Sequence, residues 1–157
     1  MQECGGCTLC CKTTNIIYMN SPHGEYCEYC IHNVGCAIHI DRPDPCKLFQ
    51  CVWSQMENVH IDLRPDNCKV VFEKINSTLI LGTIDDKLKN VSQLVVNQIT
   101  AFGKEGISTF LQQLNPYKSV CRMIPGADKQ EIINALEKKA NDSTKLYRRL
   151  NRHCYSR

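Results

Sequence analysis

The chain has 157 residues, a formal net charge of +3, and is 43% hydrophobic and 22% charged. That is long enough for a real core and too ordinary in composition for a disordered or fibrous chain. No stretch approaches the ~18 apolar residues of a membrane-spanning helix. The start, Met1-Gln2-Glu3-Cys4, lacks the basic and apolar regions of a secretory signal, so a reducing cytoplasm is the expected compartment.

Twelve cysteines are present, and nine of them (Cys4, Cys7, Cys10, Cys11, Cys27, Cys30, Cys36, Cys46 and Cys51) fall in the first 51 residues. In a reducing compartment such an array points to metal rather than disulfides. Residues 1–55 read as an irregular region punctuated by cysteine, glycine and proline. Their apolar content is slight, chiefly Ile16, Ile17, Tyr18, Val52 and Trp53, so crosslinks or metal must supplement burial. Three basic and five acidic side chains give this region a net charge of −2, against +5 for residues 56–157. A divalent cation would offset that charge; a phosphate backbone would not be drawn to it.

Downstream, residues 69–84 predict a β-hairpin: two runs rich in β-branched residues flank Asn76-Ser77. Residues 90–103 predict a helix with Val91, Leu94, Val95, Ile99 and Phe102 on one face and Gly103 as its stop. Residues 106–114 predict a second, short helix using Ile107, Phe110, Leu111 and Leu114. Residues 119–124 predict a short strand closed by Pro125-Gly126. A last helix should run from Ala127 or Asp128 into the early 140s, where Asn141-Asp142-Ser143 threatens to interrupt it. The expected fold class is therefore α+β: an irregular cysteine-rich, metal-bound N-terminal region joined to a β-hairpin and two to four helices. Residues 1–55 and 56–157 are expected to pack together as a single domain.

The spacing Cys4-x2-Cys7-x2-Cys10, followed by Cys27-x2-Cys30, carries the chemistry. A C-x2-C pair folds back through a tight turn, so that both sulfurs reach one ion at about 2.3 Å. Gly5 and Gly6 ease the first such turn. Vicinal Cys10 and Cys11 diverge, which implies two metals or a bridging sulfur. All nine cysteines are candidate ligands, enough for two four-sulfur sites or one shared cluster. Sulfur excludes magnesium and calcium but leaves zinc and iron open. His23, His32 and His39 lie among the cysteines and are better read as loop residues than ligands. Cys68, Cys121 and Cys154 read as small buried hydrophobes.

An echo of the form R-P-D-x-C-K runs through Arg42-Pro43-Asp44-Pro45-Cys46-Lys47 and Arg64-Pro65-Asp66-Asn67-Cys68-Lys69. Two proline turns leading into extended segments explain it; alternatively, each arginine or aspartate supports a nearby cysteine.

Cys4-x2-Cys7-x2-Cys10-Cys11, then Gly35-Cys36-Ala37-Ile38, Arg42-Pro43-x2-Cys46, Phe49, Cys51 and Trp53, resembles the CxxCxxCC (YkgJ-like) family, described as zinc- or iron-chelating. The resemblance covers residues 4–53 and implies metal binding and little else. Cys27 and Cys30 are less general in that family than the other seven. Related cysteine signatures occur in flagellin lysine methylases that look iron–sulfur dependent. This short chain has no glycine-rich nucleotide loop, so the resemblance does not carry a methylase activity.

The leading reading is thus a metal-binding protein holding two zinc ions in a structural or carrying role, with a non-enzymatic role favoured over catalysis. No Ser–His–Asp set, H-E-x-x-H or P-loop is present. The alternative is an iron–sulfur protein that is, or assists, a modifying enzyme. A third reading, a nucleic-acid-binding zinc module, draws on the basic run at residues 145–157 with Tyr147 and Tyr155. A solvated amphipathic helix end explains that run better. The sequence names no protein partner, no membrane contact and no oligomeric state.

Overall fold

A computed structural model describes residues 4–13, 24–49, 51–57, 59–114 and 117–154. The apolar run at residues 16–18, His23 and residues 155–157 lie outside the described residues. The architecture is α+β, as the sequence implies. Among the described residues the cysteine-rich region consists of short pieces: α1 (Cys10–Thr13), the strands β1 (Cys30–Ile31) and β2 (Gly35–Cys36), and the single-turn helices α2 (Asp44–Leu48) and α3 (Val52–Gln55). A 3-10 turn (Ile61–Leu63) and α4 (Pro65–Cys68) lead into the body.

The body is a four-stranded sheet in the order β3-β4-β5-β6. β3 (Val70–Lys74) and β4 (Leu79–Ile84) form the expected antiparallel hairpin, pairing Val70 with Ile84 and Lys74 with Ile80. Its turn is held by Asn76, whose Oδ1 accepts from the Thr78 N–H (2.9 Å). α5 (Gln93–Lys104) then crosses over, so that β5 (Ser108–Leu114) runs parallel to β4. β6 (Tyr117–Arg122) returns antiparallel to β5. α6 (Lys129–Cys154) closes the described chain.

Three expectations are corrected. Residues 106–114 are not a short helix but strand β5. The spacing of Ile107, Phe110, Leu111 and Leu114 suits a helix, yet Ser108 and Thr109 are buried inside the sheet, and pairing on both sides outweighs local periodicity. Asn141-Asp142-Ser143 does not break the last helix, which continues to Cys154. The stop of α5 is not Gly103, which lies within the helix, but the turn at Gly106, whose φ of +77° suits glycine.

α5 starts at Ser92, whose hydroxyl accepts from the Val95 N–H (3.3 Å). Its buried face, Val95, Ile99 and Phe102, packs on the sheet face that carries Phe72 and Ile80. Phe72 and Phe102 meet edge to face at 5.6 Å. Each such side chain contributes about 1.5–3 kcal/mol by leaving water. Strand alternation places Glu73, Leu79 and Leu81 on the opposite face, where Lys139 of α6 pairs with Glu73. The same core takes in Leu9, Val52 and Trp53 from the cysteine-rich region. Among the described residues no helix is long and apolar enough to cross a membrane.

A buried ion pair joins the two regions. Lys12 of α1 donates to Asp85, just past β4, at 2.5 Å, with side-chain exposures of 5% and 10%. The Lys87 N–H adds a bond to the same carboxylate (2.9 Å). Burial would raise the Asp85 pKa, but the Lys12 ammonium and the Lys87 N–H outweigh it and hold the carboxyl below its ordinary value.

Two measurements test this packing. A Cβ on Gly82 would run into the Leu111 methyl and lie 3.0 Å from the Phe72 ring, so Gly82→Val should cost about 2 kcal/mol in urea unfolding. Because Asp85 is depressed in the folded state, its contribution is present above its unfolded pKa of about 3.9 and is lost as pH falls through the folded value. Asp85→Asn should therefore lower stability at pH 7 and converge on the parent below that window. A gap unchanged between pH 7 and strong acid would contradict the pair's contribution.

Candidate metal centre

The first cysteine turn closes through the Cys7 N–H donating to the Cys4 carbonyl (2.9 Å). Gly5 sits at φ +51°, and Gly6 lies where a Cβ would strike the Asn33 carbonyl, so the turn is pressed against the β1–β2 hairpin. Thr8 receives the Asn33 N–H (3.5 Å). The Cys27 N–H donates to the Cys11 carbonyl (3.1 Å), and the Cys30 N–H to Cys27 (2.8 Å). The Cys46 N–H donates to Pro43 (2.9 Å) at the start of α2. Backbone bonds thus gather separate cysteine segments before any metal is invoked.

The result is one cavity of about 600 Å³ lined by eight of the nine candidate cysteines. Cys4, Cys7, Cys10 and Cys11 come from the first segment, Cys27 from the turn before β1, Cys30 and Cys36 from the hairpin, and Cys46 from α2. Cys51 stands apart. It is buried in the apolar core, and its backbone bridges Glu73 at the edge of β3. The eleven cysteines whose side chains are described are all free of disulfides. Among the same residues no three His, Cys, Asp or Glu side chains stand at metal-holding geometry. The thiols border a common space without converging on one point.

Their ionisation is uneven. Burial pushes Cys7, Cys30 and Cys46 up to about 11. Cys10 is raised, first by the hydrogen bond it shares with Cys11 and then by burial. Cys11 is lowered to about 7, because the Cys10 thiol donates to its sulfur and, against the pull of burial, Cys30 adds a second such bond. Burial also raises Cys4, and at both Cys4 and Cys46 Arg42 acts in the opposite direction, favouring the thiolate.

The R-P-D-x-C-K echo acquires a location. Both copies lead into a one-turn helix, α2 or α4, not into extended segments. Arg64 donates to both oxygens of Asp66 (2.6 and 2.7 Å). Burial opposes ionisation of Asp66, but Arg64 and a bond from the Cys7 thiol together hold its carboxyl low. Arg42 lines the cavity itself, and its Nη1 donates to Nε2 of His39. That bond occupies one of the two nitrogens through which His39 could ligate. His32 is instead stacked edge-on against Tyr26 at 4.7 Å.

The remaining cysteines behave differently. Cys68 is buried, with its sulfur 3.3 Å from the Val70 carbonyl, as a small core residue would be. Cys121 is exposed on β6, contrary to the expectation of burial. Cys154 ends α6, and its side chain lies outside the described set. Sequence reading missed Lys12 and Asp85, since nothing local signals a pair 73 residues apart.

No family model, no curated protein and no solved structure matches the chain. The resemblance of residues 4–53 to the CxxCxxCC family therefore rests on motif order and spacing alone.

The ionisation order has a direct readout. At pH 7.5 the metal-free chain should take up iodoacetamide first at Cys11, ahead of Cys7, Cys30 and Cys46, as followed by peptide mass spectrometry. Labelling in which Cys11 is not preferred would contradict the hydrogen bonds assigned to it.

Proposed function

We propose that the chain is a metal-binding protein that holds thiophilic metal in the cysteine-lined cavity, in a structural or carrying role. The observation that supports this most is that eight thiols from separate segments border one space. The donor set is soft: no carboxylate lines the cavity among the described residues, which suits zinc or iron and not magnesium or calcium. Eight thiolates would complete two tetrahedral zinc sites, with Cys10 and Cys11 assigned to different ions. Saturated sites of that kind leave no open position for substrate, in keeping with a non-enzymatic role. Binding would draw the sulfurs inward from their present positions, coupling loading to closure of the N-terminal region. Eleven free thiols in the described residues suit a reducing compartment, and a cytoplasmic location is part of this proposal.

A second reading has one observation in its favour. About 600 Å³ is more room than a single ion needs when sulfurs approach to about 2.3 Å, and a cluster with its own inorganic sulfide would fill more of it.

Metal and acid-labile sulfide analysis of anaerobically purified protein separates these. About two zinc per chain and no sulfide support the first reading; brown protein with iron and sulfide supports the second. Protein free of both that cannot be reconstituted overturns the proposal. Chelation should expose the N-terminal 55 residues to protease while the sheet and α5 persist, and an unchanged digestion pattern after complete metal removal would count against the structural role.

A further inference from the structure

We infer that Arg42 is the counter-cation of the bound metal–thiolate group, and that its Nε–H is the hydrogen-bond donor to a metal-bound sulfur. The inference rests on the metal reading above and names a positioning residue within that site. Arg42 reaches the cavity from the loop between β2 and α2. Its bond to His39 fixes the guanidinium plane and makes His39 the acceptor at Nε2. The Arg42 Nε is buried and has no hydrogen-bond partner among the described residues. A buried donor on a charged group is costly to leave unpaired.

The sequence echo supplies an internal comparison. In the second copy, Arg64 spends Nε and Nη2 on Asp66, two residues on. In the first copy the equivalent Asp44 is exposed, and the Arg42 Nε is left without it. The shared R-P-D-x-C-K pattern thus closes an Arg–Asp pair beside Cys7 and leaves one open at the cavity wall. Protein acceptors do not fill the gap: no aspartate or glutamate lines the cavity among the described residues. Thiols do line it. A divalent ion on four thiolates carries a net −2, so a filled cavity is strongly anionic, and Arg42 is the one permanent cation among its described lining residues. A sulfur that is thiolate and metal-bound is a far better acceptor than the present thiols, so the orphaned Nε–H gains its partner on loading.

The test uses the full chain, loaded anaerobically with Zn(II) and titrated with a competing chelator at one pH. Arg42→Gln should weaken zinc binding by about 10- to 100-fold. Arg42→Lys, which keeps the charge and loses the Nε donor, should fall between. Arg122→Gln removes the same charge from β6, where Arg122 bonds Thr100, and should leave affinity unchanged. With Co(II) in place of zinc, both Arg42 variants should move the sulfur-to-cobalt charge-transfer band to longer wavelength, because a sulfur relieved of its hydrogen bond gives up charge more easily. Circular dichroism of the metal-free proteins checks that α5 and the sheet are intact. If the parent binds metal and Arg42→Gln matches it in affinity and band position, the role of Arg42 is overturned and the metal reading stands. An equal loss in Arg122→Gln overturns it as well. A parent that takes up neither zinc nor cobalt overturns both.

Discussion

Everything about the cysteine-rich region hangs on how it is fastened to the sheet, and the fastening is the buried contact between Lys12 and Asp85. The region has too little apolar surface to fold by burial alone. Lys12 follows Cys10 and Cys11 directly, so anchoring its ammonium fixes the vicinal thiols to within a residue or two. The anchor is itself braced. The Asp85 N–H donates to the Lys69 carbonyl, and the Gln113 side chain ties together the carbonyls of Asp85, Asp86 and Leu88. A buried ion pair of this kind adds little net stability over an apolar substitute, but it is intolerant of misplacement. It therefore specifies where α1 sits more than how firmly the whole molecule holds. Leu9, on the turn before α1, supplies the complementary apolar anchor.

With α1 pinned, the remaining cysteines are brought in by backbone bonds. Gly6 allows the hairpin carbonyl of Asn33 to come close, and the Cys11 carbonyl accepts from Cys27. Sulfurs carried on separate short pieces can be adjusted individually, which a rigid helix or strand would not permit. The cavity is therefore held together at its margins by backbone bonds between short segments. The two arginines of the sequence echo mark its flanks in different ways, one already neutralised by aspartate and one not.

The sequence disclosed the parts of this fold whose causes are local. The β-branched runs around Asn76-Ser77 could be little else than a hairpin, and Val95, Ile99 and Phe102 announce a helix face. It misled where the cause is remote. Ile107, Phe110, Leu111 and Leu114 fit a helix until β4 and β6 are present on either side. Gly103 looked like a stop because α5's end is set by the turn at Gly106. For the site, the cysteines themselves were legible from spacing, and the tight turn at Gly5-Gly6 with them. The burial of Cys51 in the core beside the cavity was not, since it depends on the packing of α3 against β3. Nor was the asymmetry between Arg42 and Arg64, because the shared R-P-D-x-C-K pattern gives opposite outcomes in its two settings.

The parallel pairing of β4 with β5 also imposes an order in time. Chains emerge from the ribosome N-terminus first, at about 5–20 residues per second, so Asp85 follows Lys12 by some 4–15 seconds. Throughout that interval the thiols precede the platform that will fix α1, and β5 comes later still. A nascent chain of this design exposes its most cysteine-rich, and so most oxidisable, segment while it is least structured. Its correct assembly depends on how reducing its surroundings are in those first seconds.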